Sequence, residues 1–190
     1  MDFVCIYENG HKIDYSKVET VEQNHARKFI KKDDVVLELG ARYGGVSLTI
    51  DKILLEPQWQ LVSVEPDKRV ISALRDNRFR NGGRFQIIEG VISNKPMEIK
   101  GRGFGTYTVG ESGSIKNYPI PLMPFNVLVA DCEGFLETFY NENKEWFKSL
   151  RLILFEKDRP QACDYDYLVS EFIKLGFKPV RDSFHSVFIK

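Results

Sequence analysis

The apolar stretch 35–39, VVLEL, runs directly into the glycine turn Gly40-Ala41-Arg42-Tyr43-Gly44-Gly45, and a second apolar stretch at 61–64 ends in Glu65-Pro66. A strand that enters a helix through a glycine turn, and returns as another strand, has its helix carry the chain back to the starting end. The two strands then lie parallel in one sheet. The same alternation continues downstream. Strands are predicted at 85–89, 125–130 and 150–155, with helices at 67–80, 135–148 and 165–175 between or after them. Near-continuous apolar strands of this kind are covered on both faces. The segments 177–180 and 184–189 are close enough to pair as a hairpin, which places one reversed strand at the end of the sheet. Upstream, weakly alternating residues 3–7 and the turn Asn9-Gly10 predict a small ribbon. Ser16 and Glu19 have capping-box spacing. Val18, Val21, His25 and Phe29 then follow a helical period as far as Lys32.

In open parallel sheets the ligand lies beyond the carboxyl ends of the strands. Those ends carry Glu38, Glu65, Glu89, Asp131 and Glu156. One acid after a strand is ordinary solvation, but five together predict a polar crevice. A strand, a glycine turn and a second strand ending in an acid is also the layout of a nucleoside site, with Glu65 placed to accept hydrogen bonds from ribose hydroxyls. A dinucleotide fingerprint, G-x-G-x-x-G, needs a middle glycine so that the backbone can approach a pyrophosphate. Arg42 holds that position here, which counts against a nicotinamide-dependent oxidoreductase, the first rival reading.

What remains, E-x-G-x-x-x-G at Glu38, Gly40 and Gly44, resembles motif I of S-adenosylmethionine-dependent methyltransferases. The resemblance extends from Val35 to Glu156. It includes Glu65-Pro66-Asp67, Val91-Ile92-Ser93-Asn94 and Asp131-Cys132-Glu133-Gly134, and in that order and spacing it is similar to the FkbM type. The departure is Arg42, where Asn is usual. The resemblance implies an α/β, doubly wound, mainly parallel seven-stranded Rossmann-like sheet with a C-terminal antiparallel strand and a small N-terminal hairpin and helix. It implies one methyltransferase domain over residues 1–190, with 1–33 as hairpin and helix and 34–190 as the core. It further implies S-adenosyl-L-methionine held by Glu38, Gly40, Ala41, Gly44, Glu65, Pro66, Val91, Ile92 and Asp131. The activity it implies is O-methylation of a sugar or glycan.

An N/D-P-P-Y motif is absent after the fourth strand, which disfavours amino-group methylation, while acids there suit a hydroxyl acceptor. Asp131 or Glu133 could act as base, with His185 on the terminal strand as a further candidate. Alternatively Asp131, Glu156 and Asp158 could hold a divalent cation, Mg or Mn, that lowers the acceptor's pKa. The segment 101–107, with Arg102, Phe104 and Tyr107 among its glycines, could cover a substrate as a lid. Arg75, Arg78, Arg80 and Arg84 cluster at a helix end, where cations favour the dipole, and read as a solvated face.

Composition narrows the partners. The 190 residues hold 27 basic and 27 acidic side chains, so no net charge favours nucleic acid or an anionic membrane. A small-molecule or glycan acceptor is the easier fit. Three widely spaced cysteines, Cys5, Cys132 and Cys163, support neither a disulfide framework nor a zinc cluster, which points to the cytoplasm. No signal peptide or membrane-spanning run is read in the sequence. A second rival is a non-catalytic module of the same fold, one piece of a larger polypeptide.

Overall fold

The computed structural model describes residues 3–100, 106–109 and 115–190. The chain opens with a ribbon, β1 (Cys5–Ile6) against β2 (Lys12–Ile13), and then forms α1 (Thr20–Phe29). The first core unit is β3 (Val36–Leu39), α2 (Gly45–Asp51) and α3 (Pro57–Gln60), and the second is β4 (Leu61–Glu65), α4 (Ile71–Arg80) and β5 (Gln86–Glu89). Short strands follow: β6 (Val91–Ile92), β7 (Met97–Lys100), β8 (Thr106–Val109) and β9 (Asn117–Tyr118). The second half comprises β10 (Val127–Ala130), α5 (Leu136–Glu142), a 3-10 turn at Trp146–Ser149, β11 (Leu152–Glu156), α6 (Tyr165–Lys174), β12 (Lys178–Arg181) and β13 (His185–Ile189).

Seven strands form the central sheet in the order β12-β13-β11-β10-β3-β4-β5. β3, β4, β5, β10 and β11 are mutually parallel, and β13 runs against both β11 and β12. The chain therefore has the expected doubly wound α/β architecture, with the reversed strand at its C-terminal side. Period-two alternation divides the core between the two faces. Val36, Val127, Leu152 and Val187 pack with α1 and α2 residues such as Ala26, Leu48 and Ile50. Leu37, Leu128, Ile153 and Phe188 pack with Phe139, Phe147 and Phe172 on the other face. Among the described residues, no helix is long and apolar enough to cross a membrane.

Several boundaries differ from the sequence expectation, each for a local reason. The capping box does not form. Asp14 already accepts from the Ser16 backbone and hydroxyl, so the turn closes early, and α1 begins at Thr20 with Glu19 left-handed at φ 53°. α2 stops at Asp51, whose carboxylate accepts the backbone N–H groups of Arg84 (2.6 Å) and Phe85 (3.1 Å), and Pro57 begins α3. The expected helix over 135–148 is broken at Asn143, where the side chain donates to the Phe139 carbonyl. Asp67 accepts from the Arg69 backbone and guanidinium and does not cap α4, which starts four residues later at Ile71. The parallel pair β6–β9 has no counterpart in the sequence expectation. β7 and β8 pair antiparallel, and residues 101–105 of the expected lid lie outside the described residues.

Candidate functional site

Two pockets meet at Leu39 and Gly40, beyond the carboxyl ends of β3 and β10. The Gly40 backbone is left-handed at φ 89°, and its N–H donates to the Val64 carbonyl at 2.9 Å. A Cβ there would stand 1.6 Å from the Asp131 carbonyl oxygen, so the backbones of the two strand tips touch and only glycine fits. Gly44 is also left-handed, and its missing side chain leaves room for Leu74. Ala41 is buried beside it, its N–H also directed to the Val64 carbonyl.

The first pocket is an apolar slot lined by Val64, Pro66, Val91, Ile92, Cys132 and Phe135. Beside it Glu65 is buried, one carboxylate oxygen accepting from the Arg42 N–H and the other from the Asp67 N–H, each at 2.7 Å. Burial pushes its carboxyl up to about 7, against the pull of those two bonds. Each oxygen keeps a further lone pair for an incoming hydroxyl. Arg42 itself is left-handed at φ 44°, and its guanidinium stacks on the Tyr43 ring at 5.0 Å. Glu38 is fully enclosed. It accepts from the Ser47 and Ser63 hydroxyls at 2.5 Å each, and burial holds its carboxyl above the ordinary range.

The second pocket is an acid-lined cleft under α1. Alternation along the strands sends Glu38, Asp131, Glu156 and His185 to this one face, and α1 with the residue before it adds Glu19, Glu22 and His25. No lysine or arginine is among the residues that line it. Burial, with the neighbouring Asp158, Glu133 and Glu22 charges, raises Asp131 to about 7. The same causes raise Glu19 to about 8, beside Asp131 and Glu38, and Glu156 to about 9, beside Asp131 and Glu22. A carboxylate balanced between its two forms near neutrality is suited to accept a proton from a hydroxyl.

The other acids of the predicted site are held by close partners. Glu133, left-handed at φ 53°, is gripped by the Arg159 Nε at 2.6 Å. Asp158 accepts from the Gly134 N–H at 3.0 Å and the Tyr165 hydroxyl at 2.6 Å. Both therefore stiffen the turn that follows Asp131. Both bonds to Asp158 end on its Oδ1, while its Oδ2 is buried without a hydrogen-bond partner among the described residues. Among the described residues, the metal-type donors that gather are Glu22, Glu156 and His185, all within 4.8 Å of one another. Sequence reasoning missed Glu19 and Glu22. Glu19 was read as half of a cap, and Glu22 carries no signal beyond being a polar helix residue.

No protein-family model and no curated protein matches this sequence. Solved methyltransferase structures do match its fold. The precorrin-6y C5,15-methyltransferase of Geobacter metallireducens superposes with a TM-score of 0.55 at 15% identity, over 91% of this chain and 86% of that one. The ribosomal protein L11 methylase of Lactobacillus delbrueckii gives 0.50 at 9% identity, over 92% and 76%. The tRNA m1G37 methyltransferase of M. jannaschii gives 0.51 at 15%, over 90% of this chain but 48% of that one. At such identities the likeness is one of fold: this chain has the Rossmann-like architecture of methyltransferases whose acceptors differ widely.

Proposed function

We propose that the chain is an S-adenosylmethionine-dependent O-methyltransferase acting on a hydroxyl of a small molecule or glycan, such as a sugar. The observation that carries this reading is the junction at Gly40 of an apolar slot with an acid-lined cleft. The apolar surface formed by Pro66, Val91, Ile92 and Phe135 suits one face of a nucleobase, and Glu65, next to Pro66 in the chain, suits ribose hydroxyls. The cleft, with five carboxylates and no basic side chain, suits the positive sulfonium and ammonium groups of that cofactor. Bound there, the cofactor supplies an electrophilic methyl group.

The chain's own part is to hold and deprotonate the acceptor. Asp131 projects from the tip of β10, where its backbone N–H is tied to the Leu39 carbonyl at 3.0 Å and its carboxyl stands at about 7. It takes the acceptor hydroxyl's proton, a role worth a factor of about 10² to 10⁴. Glu133 and Arg159 fix the turn that aims it, and alignment adds several kcal/mol. The reading takes residues 1–190 as one catalytic domain, free or within a longer polypeptide, in the reducing cytoplasm. The three buried free thiols support that compartment.

Calorimetric titration with S-adenosylhomocysteine is the test. Saturable binding, weakened at least about tenfold by Glu65→Gln in a variant of unchanged melting temperature, is expected. No binding, or binding indifferent to Glu65, refutes the cofactor assignment. Binding without methyl transfer to any of a broad panel of sugars and glycans refutes the catalytic one.

A further inference from the structure

The acid-lined cleft also gathers donor atoms of the kind that hold a metal ion. Glu156 and His185 are directly opposed across the antiparallel β11–β13 ladder, so their side chains leave the sheet on the same face. α1 crosses above them and brings Glu22 down, its Oε1 3.1 Å from the His185 Nδ1. Three elements distant in sequence thus converge on one point, each offering a metal-type donor atom, with all three atoms within 4.8 Å.

Two further observations separate this from an incidental acidic patch. His185 Nδ1 is enclosed and makes no hydrogen bond, although Glu22 lies beside it. A buried imidazole nitrogen without a partner is costly, and coordination is one of the few arrangements that satisfies it. Moreover, the residues around the three donors add carboxylates from Glu19, Glu38 and Asp131 and a second imidazole from His25; among the described residues that line the cleft there is no lysine or arginine, and Arg42 acts on Glu19 and Asp131 from outside that lining. Carboxylates packed this closely are ordinarily compensated by a cation.

We propose that Glu22, Glu156 and His185 form a binding site for a divalent transition-metal cation. One imidazole nitrogen with two carboxylates is a donor set for Zn²⁺, Mn²⁺ or Fe²⁺. Mg²⁺ and Ca²⁺ prefer oxygen donors throughout and bind it weakly. The ion takes two ligands from strand positions fixed by the sheet and one from a helix. It would also tie α1 to β11 and β13 and offset the like charges of Glu22 and Glu156.

The site shares its cleft with the proposed reaction but is tested without it. Chelator-treated full-length protein is titrated with ZnCl₂, MnCl₂ and MgCl₂ by calorimetry and followed by thermal denaturation, and the Mn²⁺ complex is examined by electron paramagnetic resonance. One equivalent of Zn²⁺ or Mn²⁺ should bind and raise the melting temperature, with Mg²⁺ much weaker. Glu156→Gln and His185→Gln should each weaken binding at least about tenfold. Glu22→Gln, on a helix surface where folding is least at risk, should do the same. The proposal is overturned if no ion binds, if binding is unchanged in all three folded variants, or if Mg²⁺ binds as tightly as Zn²⁺ and Mn²⁺. A chain that binds S-adenosylhomocysteine but no metal would keep the proposed function and lose this site.

Discussion

Gly40 and the Asp131 carbonyl lie in such close contact that a methyl group on the glycine would stand 1.6 Å from the oxygen. Gly40→Ala also forces a side chain into a left-handed backbone at φ 89°. The variant should lose on the order of 3 kcal/mol or more in urea denaturation, or fail to accumulate as folded protein. A loss below about 1 kcal/mol would mean that the strand tips can part easily, contrary to this packing.

Asp131 and Glu133 are two residues apart but should respond very differently. Asp131→Asn is expected to lower kcat by a factor of about 10² to 10⁴ while S-adenosylhomocysteine still binds. Glu133→Gln, which weakens a strut to Arg159, should cost less than about tenfold. Equal losses in the two variants, measured by steady-state kinetics on an accepted substrate, would contradict the division between base and strut.

The buried carboxyls make stability depend on pH in a defined direction. Asp131 and Glu65 rise to about 7, Glu19 to about 8 and Glu156 to about 9, from ordinary values near 4. The folded chain therefore holds more protons than the unfolded chain between those limits, and stability falls as pH rises through them. Glu22, His25 and His185 face the same cleft, and Arg42 is the nearby cation that opposes the effect. Of the groups shifted the other way, Glu8, Asp67 and Glu171 titrate below this window, while His25, lowered by burial, works against the fall at its acid end and is outweighed by the four carboxyls. With chelator present, the urea midpoint should drop from pH 5 to pH 9, on the order of a few kcal/mol in all. A midpoint that climbs over that range would refute it.

At the opposite end of the sheet, Asp34 is buried and clamped by the Arg151 Nε at 2.7 Å and by a second guanidinium contact. Arg151→Ala removes the cation and leaves the acid with only Asn126 and the Lys31 N–H. A loss of about 2–3 kcal/mol in urea denaturation is expected. Affinity for S-adenosylhomocysteine should be unchanged in the folded variant.

The core strands and their parallel sheet were legible because buried parallel strands carry nearly continuous apolar runs, as 35–39, 61–64 and 150–155 do with one polar residue each. Asp131 and Glu156 were legible for the same reason, as the polar residues on which those runs end. Glu22 was not, since its partners lie on β11 and β13 and nothing local marks a helix residue as facing a sheet that forms much later in the sequence. The roles of Glu133 and Asp158 were hidden in the same way. A carboxylate gripped by Arg159 or Tyr165 has the same sequence signature as a free one. His185 read as an isolated strand histidine until the reversed direction of β13 set it opposite Glu156.

That central strand β3 pairs with β4 on one side and β10 on the other also bears on how the chain reaches this state. Val36 meets Leu61 in one ladder and Val127 in the other, while Val35 and Asn126 bond across a sequence separation of 91. The middle of the sheet therefore closes only after a long stretch of chain has been brought back, and the entropy of that closure comes before its reward. Folding should be slow for a protein of this size, and the last step to form should be the contact between the two strand tips on which both pockets depend.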